Sequence, residues 1–365
     1  MYPAVAVLQA IQEDPETAQA LEDILWVGGK SGMDEEILIR AGLEYQTIPA
    51  AGLHGVGLRK LPGNLLQLLR GYWKSRKILR EFRPDVLFFT GGYLAVPVAL
   101  AGRSIPSVLF VPDIEPGLAL KTIARLADVI AATAEETRRY FPPKSRLEVT
   151  GYPVRTNLKQ WKREEALEAF HLSEKDPVLL VFGGSKGARS INQALVPALP
   201  ELLGFTQVIH ITGRLDWPVL EDTPENLSET LPDKLVDRYR IFPYLHRRMG
   251  AALTAADLVV SRAGASILGE FTQFELPAVL VPYPHAWRYQ QVNAQYLEDK
   301  GGAVIVQDQD LEVELLPRIK EILMDHDRLE EMRKEIKAAA QPGAAEKIAR
   351  LLLEVSGTSQ REGQR

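Results

Sequence analysis

Short runs of apolar and β-branched residues recur along the chain. Each is closed by a turn rich in glycine or proline and followed by apolar positions at helical spacing. The runs predict strands over 23–27, 45–48, 86–89, 107–111, 129–132 and 147–150. A second series covers 177–182, 207–212, 240–242, 258–261, 278–282 and 303–306. Helical patterns fill most intervals, and three close the chain at about 311–324, 328–339 and 344–355. Strands that are apolar throughout, alternating with helices, predict parallel sheets covered on both faces, an α/β fold.

Gly151-Tyr152-Pro153 and the charged stretch 159–168 separate the two series and read as an inter-domain linker. The expected organisation is an N-terminal domain over 1–155, a C-terminal domain over 156–340, and a closing helix with a polar tail over 341–365. The chain opens inside a helical pattern, 3–12, with no strand before it. In a doubly wound sheet the first strand is usually central and the turn after it faces the ligand. That strand and turn are expected upstream of Met1; the alternative is a domain lacking its middle strand, with two unpaired edges.

A length of 365 residues suits two domains, and 46% hydrophobic with 25% charged residues is ordinary for a globular chain. Disordered and collagen-like classes are excluded. The absence of cysteine excludes disulfides, thiolate catalysis, Fe–S clusters and Cys-bound zinc, and fits a reducing cytoplasm. The longest uncharged stretch, 86–102, is broken by Gly91-Gly92 and Pro97, and reads as a buried strand and a helix rather than a membrane span. No signal peptide is visible.

Three turns in the second half carry candidate chemistry. Gly183-Gly184-Ser185-Lys186-Gly187-Ala188-Arg189 follows a strand and opens a helix. Its amides and the positive helix end suit a diphosphate, with Ser185 and Lys186 adding donors; otherwise it is only a tight connection. It lacks P-loop spacing. Ser261-Arg262-Ala263-Gly264-Ala265-Ser266 repeats the pattern, with Glu270 one helical turn beyond Ser266. A carboxylate there suits the hydroxyl pair of a ribose, or is a solvated helix residue. Gln290 and Asn293 share a helix face after another strand, and amides read sugar hydroxyls well. Together the three turns describe a nucleotide-sugar site.

These segments, with Gly55-Val56-Gly57, Gly91-Gly92-Tyr93, Pro97 and Gly151-Tyr152-Pro153-Val154-Arg155, resemble the MurG family. Its members are bacterial N-acetylglucosaminyltransferases acting on a lipid-linked peptidoglycan precursor. The resemblance covers almost the whole chain. It implies two Rossmann-like doubly wound domains facing a cleft (the GT-B arrangement), and no metal or other cofactor. By position it places Ser185, Lys186 and the amides of Gly184 and Gly187 at the diphosphate, and Arg155 and the Leu245 backbone at the uracil. Gly264, Ala265 and Glu270 fall at the ribose, Gln290 at the hexose with Asn293 supporting it, and Gly91, Gly92 and Tyr93 on the acceptor side.

The chain departs from the family at three places. The family opens on a Gly-Gly-Thr-Gly-Gly-His turn, whereas here Tyr2-Pro3-Ala4 stands at the start. A His-Glu-Gln-Asn segment reads Phe110-Val111-Pro112-Asp113, and Tyr289 precedes Gln290. Val111 carries no proton, so Asp113 or Glu115 becomes the candidate general base, the family histidine being expected upstream.

The implied partners are a UDP-sugar and a polyprenyl-diphosphate acceptor at the cytoplasmic face of the cell membrane. Between 59 and 83 lie eight Lys or Arg and one acid, interleaved with leucines and Trp73. Leu65, Leu69, Trp73, Lys74 and Lys77 can rest on an anionic membrane; the alternative is a sheet-covering helix with a solvated basic face. Net charge is 43 − 48 = −5, and no base-stacking motif occurs, so nucleic acid is not expected. No histidines stand at metal-ligand spacing, and no G-x-S-x-G elbow occurs. Two alternatives stay open: a different lipid acceptor, or a non-catalytic UDP-sugar-binding relative.

Overall fold

A computed structural model describes residues 2–29, 43–49, 61–184, 187–285 and 288–357. The chain divides into two compact units, Met1–Pro153 with Gly343–Arg365, and Val154–Pro342.

In the first unit, helix α1 (Tyr2–Glu13) precedes strands β1 (Leu25–Gly28) and β2 (Glu44–Thr47). Helix α2 (Leu61–Phe82) leads to β3 (Leu87–Phe89), α3 (Ala95–Ala101), β4 (Ser107–Val111), β5 (Val129–Ala132) and β6 (Leu147–Val149). All pairs are parallel, in a two-stranded sheet β1-β2 and a four-stranded sheet β3-β4-β5-β6. Among the described residues no strand bridges β1 and β3. Their side chains still enter one apolar cluster: Leu25 and Val27 pack against a core that holds Ile48, Leu87, Phe89 and Leu109.

The second unit holds α4 (Arg163–Glu168), β7 (Val178–Phe182), α5 (Arg189–Leu202), β8 (Gln207–Ile211) and β9 (Tyr239–Phe242). It continues with α6 (Met249–Ala255), β10 (Leu258–Ser261), α7 (Ile267–Gln273), β11 (Ala278–Leu280), α8 (Tyr289–Asp299) and β12 (Ala303–Ile305). Helices α9 (Leu311–Leu323) and α10 (His326–Ala338) complete it. The six strands are parallel in the order β12-β11-β10-β7-β8-β9, the doubly wound pattern whose direction of winding reverses between β7 and β10. Strands β7, β8 and β10 are buried almost throughout, which explains their mostly apolar sequences.

The charged stretch 159–168 is not a linker. It contains α4, whose Glu165 carboxylate accepts from the Lys162 N–H at 3.2 Å, and α4 packs on α6 inside the second unit. Its charges face water while Ala166 and Leu167 are buried, so composition alone hid an amphipathic helix. Helix α11 (Ala344–Ser356) returns to the first unit and packs on α1.

Candidate functional site

Where the winding direction of a parallel sheet reverses, the turns on either side diverge and leave a crevice at the carboxyl ends of the strands. In the second unit these turns follow β7 and β10, two of the three singled out from the sequence. Gly184 and Gly187 both have φ +83°, and the Gly187 N–H donates to the Gly184 carbonyl at 3.0 Å, closing the turn. A Cβ on Gly187 would lie 2.4 Å from the Thr212 carbonyl oxygen, so only glycine fits there. A Cβ on Gly184 would meet nothing within 4 Å, so this backbone is open to an incoming group. Helix α5 starts directly after, and its N-cap residue, Ala188, provides no side-chain cap to the first amides. Ser185 and Lys186 lie outside the described residues.

After β10, Gly264 and Ala265 accept from Ile267 and Leu268 N–H groups, winding the chain into α7. Glu270 sits in its first turn, hydrogen-bonded by Ser266, with the Arg155 guanidinium as an opposing charge. Burial pushes the Glu270 carboxyl up from 4.5 to about 7, against the pull of Arg155 and Ser266. Leu245 is buried in the loop after β9, where the Tyr244 and His246 rings meet at 4.5 Å.

The hexose candidates divide. Gln290 Oε1 accepts from the Tyr283 N–H at 2.9 Å and shapes the loop entering α8. Asn293 is fully buried, and its Nδ2 donates to the Ala263 carbonyl at 3.2 Å. It therefore ties α8 to the turn after β10 and supports the site from behind.

A buried polar chain was not legible in the sequence. His210, Tyr239, Asn192, Thr212 and Asp216 connect the middle of the sheet to the first turn of α5. The available signal was a histidine and an asparagine inside otherwise apolar elements, where a polar side chain needs a partner.

In the first unit the acceptor-side candidates also lie at carboxyl ends of adjacent strands. Gly91-Gly92-Tyr93 follows β3, and the Tyr93 side chain is 49% exposed. Asp113 follows β4 and is half-buried, while Glu115 is buried. Thr133, after β5, donates its hydroxyl to the Val111 and Pro112 carbonyls at 3.0 and 2.9 Å, which fixes the loop that carries Asp113. Among the described residues no group of His, Asp and Glu side chains forms a site able to hold a metal ion.

Helix α2 buries Gly71, Ser75 and Ile78 and turns Leu65, Leu66, Leu69 and Trp73 outward, with Lys74 and Lys77 exposed beside them. The sheet-covering and the outward apolar faces therefore coexist on one helix. No described helix is long and apolar enough to cross a membrane.

Two Rossmann-like units, one with glycine turns and a half-buried carboxylate at its winding reversal, define a glycosyltransferase of the GT-B class. The profile of the glycosyltransferase family 28 C-terminal domain matches residues 178–348, and that of the N-terminal domain matches residues 1–132. A relative from Roseiflexus sp. (strain RS-1) is 38% identical, over 90% of this chain and 82% of its own. Another, from Desulforamulus reducens, is 36% identical over 95% and 93%. Both are named UDP-N-acetylglucosamine–N-acetylmuramyl-(pentapeptide) pyrophosphoryl-undecaprenol N-acetylglucosamine transferase. Among solved structures, MurG of Acinetobacter baumannii superposes with a TM-score of 0.74 at 26% identity, covering 97% of this chain and 95% of that one. The UDP-GlcNAc 2-epimerase of Neisseria meningitidis shares the fold, with a TM-score of 0.65 at 13% identity over 96% and 95%. The chain belongs to glycosyltransferase family 28 and is of the MurG type.

Proposed function

We propose that the protein moves N-acetylglucosamine from UDP-N-acetylglucosamine to N-acetylmuramyl-(pentapeptide) pyrophosphoryl-undecaprenol, with inversion at the anomeric carbon. The observation that carries the donor half is the pair of turns flanking the winding reversal of the second unit. One offers open backbone beside the first amides of α5, the other a half-buried carboxylate.

Negative charge grows on the diphosphate as the acceptor hydroxyl attacks. Amides at Gly184 and Gly187 and the positive end of α5 take up that charge, with Ser185 and Lys186 assigned to the same group by resemblance. Losing one such donor costs about 10²–10³ in rate in other enzymes. Glu270, ionised, accepts the two ribose hydroxyls, and Arg155 keeps it ionised when the nucleotide is bound. Gln290 serves the hexose. No metal or other cofactor is assigned to the reaction.

On the acceptor side, Gly91, Gly92 and Tyr93 line the diphosphate of the lipid. Asp113 is the general base within the described residues, being less buried than Glu115; such a base is worth about 10²–10⁴ in rate. Helix α2 rests on the anionic cytoplasmic face of the cell membrane, where the acceptor lies. A different lipid acceptor is the second reading. It is favoured by Val111, which is fully buried where the family carries a glutamate.

The test is release of UDP from UDP-N-acetylglucosamine with and without the undecaprenyl-linked muramyl-pentapeptide. Release that depends on this lipid is expected. Release supported only by another lipid selects the second reading, and release supported by no lipid defeats both.

A further inference from the structure

One side chain ties together the three donor turns of the second unit. Arg262 follows β10. Its Nη1 donates to Asp308 Oδ1 at 2.5 Å and to the Val281 carbonyl, just past β11, at 3.2 Å. Its Nη2 donates to Ser190 Oγ at 2.7 Å, in the first turn of α5. The Ser190 hydroxyl donates in turn to Asp308 Oδ1 at 2.7 Å, closing a triangle. The guanidinium also lies 5.2 Å from the centre of the Tyr283 ring, on the loop that Gln290 shapes. The Arg262 and Asp308 side chains are only 11% and 24% exposed, so the pair is largely out of water and held by charge-assisted bonds.

Three of the guanidinium's N–H bonds go to protein groups at three different places, Ser190, Val281 and Asp308. Its planar fork can span them at fixed angles. A lysine ammonium is a point charge with one nitrogen and cannot. The helix whose amides face the diphosphate, the turn that leads to Glu270 and the loop that leads to Gln290 therefore share one fixed spacing.

We infer that Arg262, braced by Asp308 and Ser190, is a positioning residue that sets the distance between the diphosphate turn and the hexose loop. It rests on the donor reading above and deepens it. Holding these two loops in register aligns the anomeric carbon with its leaving group, an effect that acts on turnover more than on ground-state binding.

The test uses the full chain as wild type, Arg262→Lys, Ser190→Ala and the double variant. Turnover of UDP-N-acetylglucosamine with lipid acceptor, affinity for UDP and for the sugar nucleotide, and thermal melting are measured. Arg262→Lys is expected to lower kcat by about tenfold or more while KM for the donor changes about threefold or less. Ser190→Ala is expected to lower kcat by about threefold or more without moving the melt. The double variant is expected to lose no more than Arg262→Lys alone, because both changes cut the same tether. Turnover within about twofold of wild type in Ser190→Ala, or losses that multiply in the double variant, overturns the inference. Should Arg262→Lys fail to fold, Ser190→Ala decides alone. A wild-type chain that binds the sugar nucleotide without turning it over defeats the proposed reaction instead. The tether is then judged by affinity: a variant that weakens the sugar nucleotide more than UDP supports it, and equal weakening overturns it.

Discussion

His210 Nε2 lies 2.9 Å from Asn192 Oδ1, and that contact fixes the histidine tautomer. Asn192 Nδ2 already donates to the Thr212 carbonyl and to Asp216, so its oxygen is the acceptor and Nε2 carries the proton. Nδ1 then accepts from the Tyr239 hydroxyl at 2.8 Å, and Arg189 closes the chain on Asp216 at 3.0 Å. The Thr212 carbonyl that receives Asn192 is the same group against which Gly187 packs. The polar chain thus anchors the start of α5 to the end of β8.

Burial holds His210 neutral, lowering its pKa from 6.5 to about 3 and raising that of Tyr239. Between pH 6.5 and 3 the unfolded chain binds a proton that the folded chain refuses. The stability is intact above about 6.5 and is lost as pH falls. His210→Phe leaves the Tyr239 hydroxyl and Asn192 Oδ1 without this partner, at a cost of about 2–5 kcal/mol at pH 7. Urea unfolding from pH 7 to 4 is expected to show a shallower loss in the variant than in wild type. Parallel profiles would contradict the assignment.

Glu270 has the opposite sign. Its folded pKa, about 7, lies above the ordinary 4.5, so the folded chain keeps a proton that the unfolded chain releases. The stability is full below about 4.5 and is lost as pH rises through 7. Glu270→Gln is expected to melt higher than wild type at pH 8 and nearly equal at pH 4. Ribose binding needs the ionised form, so affinity of the wild type for UDP-N-acetylglucosamine, whose diphosphate does not titrate in this range, should rise from pH 6 to 8. The glutamine variant should bind about 10–100-fold more weakly at pH 8, with a flat profile. Unchanged affinity would remove Glu270 from the ribose.

The glycine turn separates folding from binding. Gly184→Ala adds a methyl into open space at φ +83°, for a backbone cost of about 1–2 kcal/mol. Gly187→Ala drives a methyl to 2.4 Å from the Thr212 carbonyl oxygen, where backbone must move. Thermal melting should drop much further for Gly187→Ala. Gly184→Ala should fold yet lose donor affinity in calorimetry; normal affinity would show that the diphosphate does not approach there.

The strands of the second unit were readable because each is a mostly apolar or β-branched run ended by a turn. All twelve expected strands occur, displaced at their ends by two residues at most. The ends moved where burial and pairing, rather than composition, decide: 23–27 became Leu25–Gly28 and 278–282 became Ala278–Leu280. The division between the units was harder, because composition in 159–168 does not distinguish a helix of the second unit from a linker. The two turns at the winding reversal were legible from glycine spacing. The Arg262 tether and the His210 chain were not, since both depend on which distant carbonyl each donor meets.

Helix α2 gives a test of location. Leu65, Leu69 and Trp73 are 53, 51 and 65% exposed on one face. Replacing Trp73 and Leu69 by alanine should reduce partition into anionic vesicles at least tenfold, at about 1.5–3 kcal/mol per large apolar side chain. Replacing Lys74 and Lys77 should lower it further and flatten its salt dependence, each charge being worth about 1 kcal/mol. UDP affinity should stay unchanged in all of them. Equal partition of wild type and variants would place α2 away from the membrane.

Isothermal titration of the folded chain with UDP-N-acetylglucosamine tests the nucleotide-sugar site most directly. Saturable heat with one ligand per chain is expected, weakened in Glu270→Gln at unchanged circular dichroism. A flat titration of the folded wild-type chain would contradict the site at the winding reversal of the second unit.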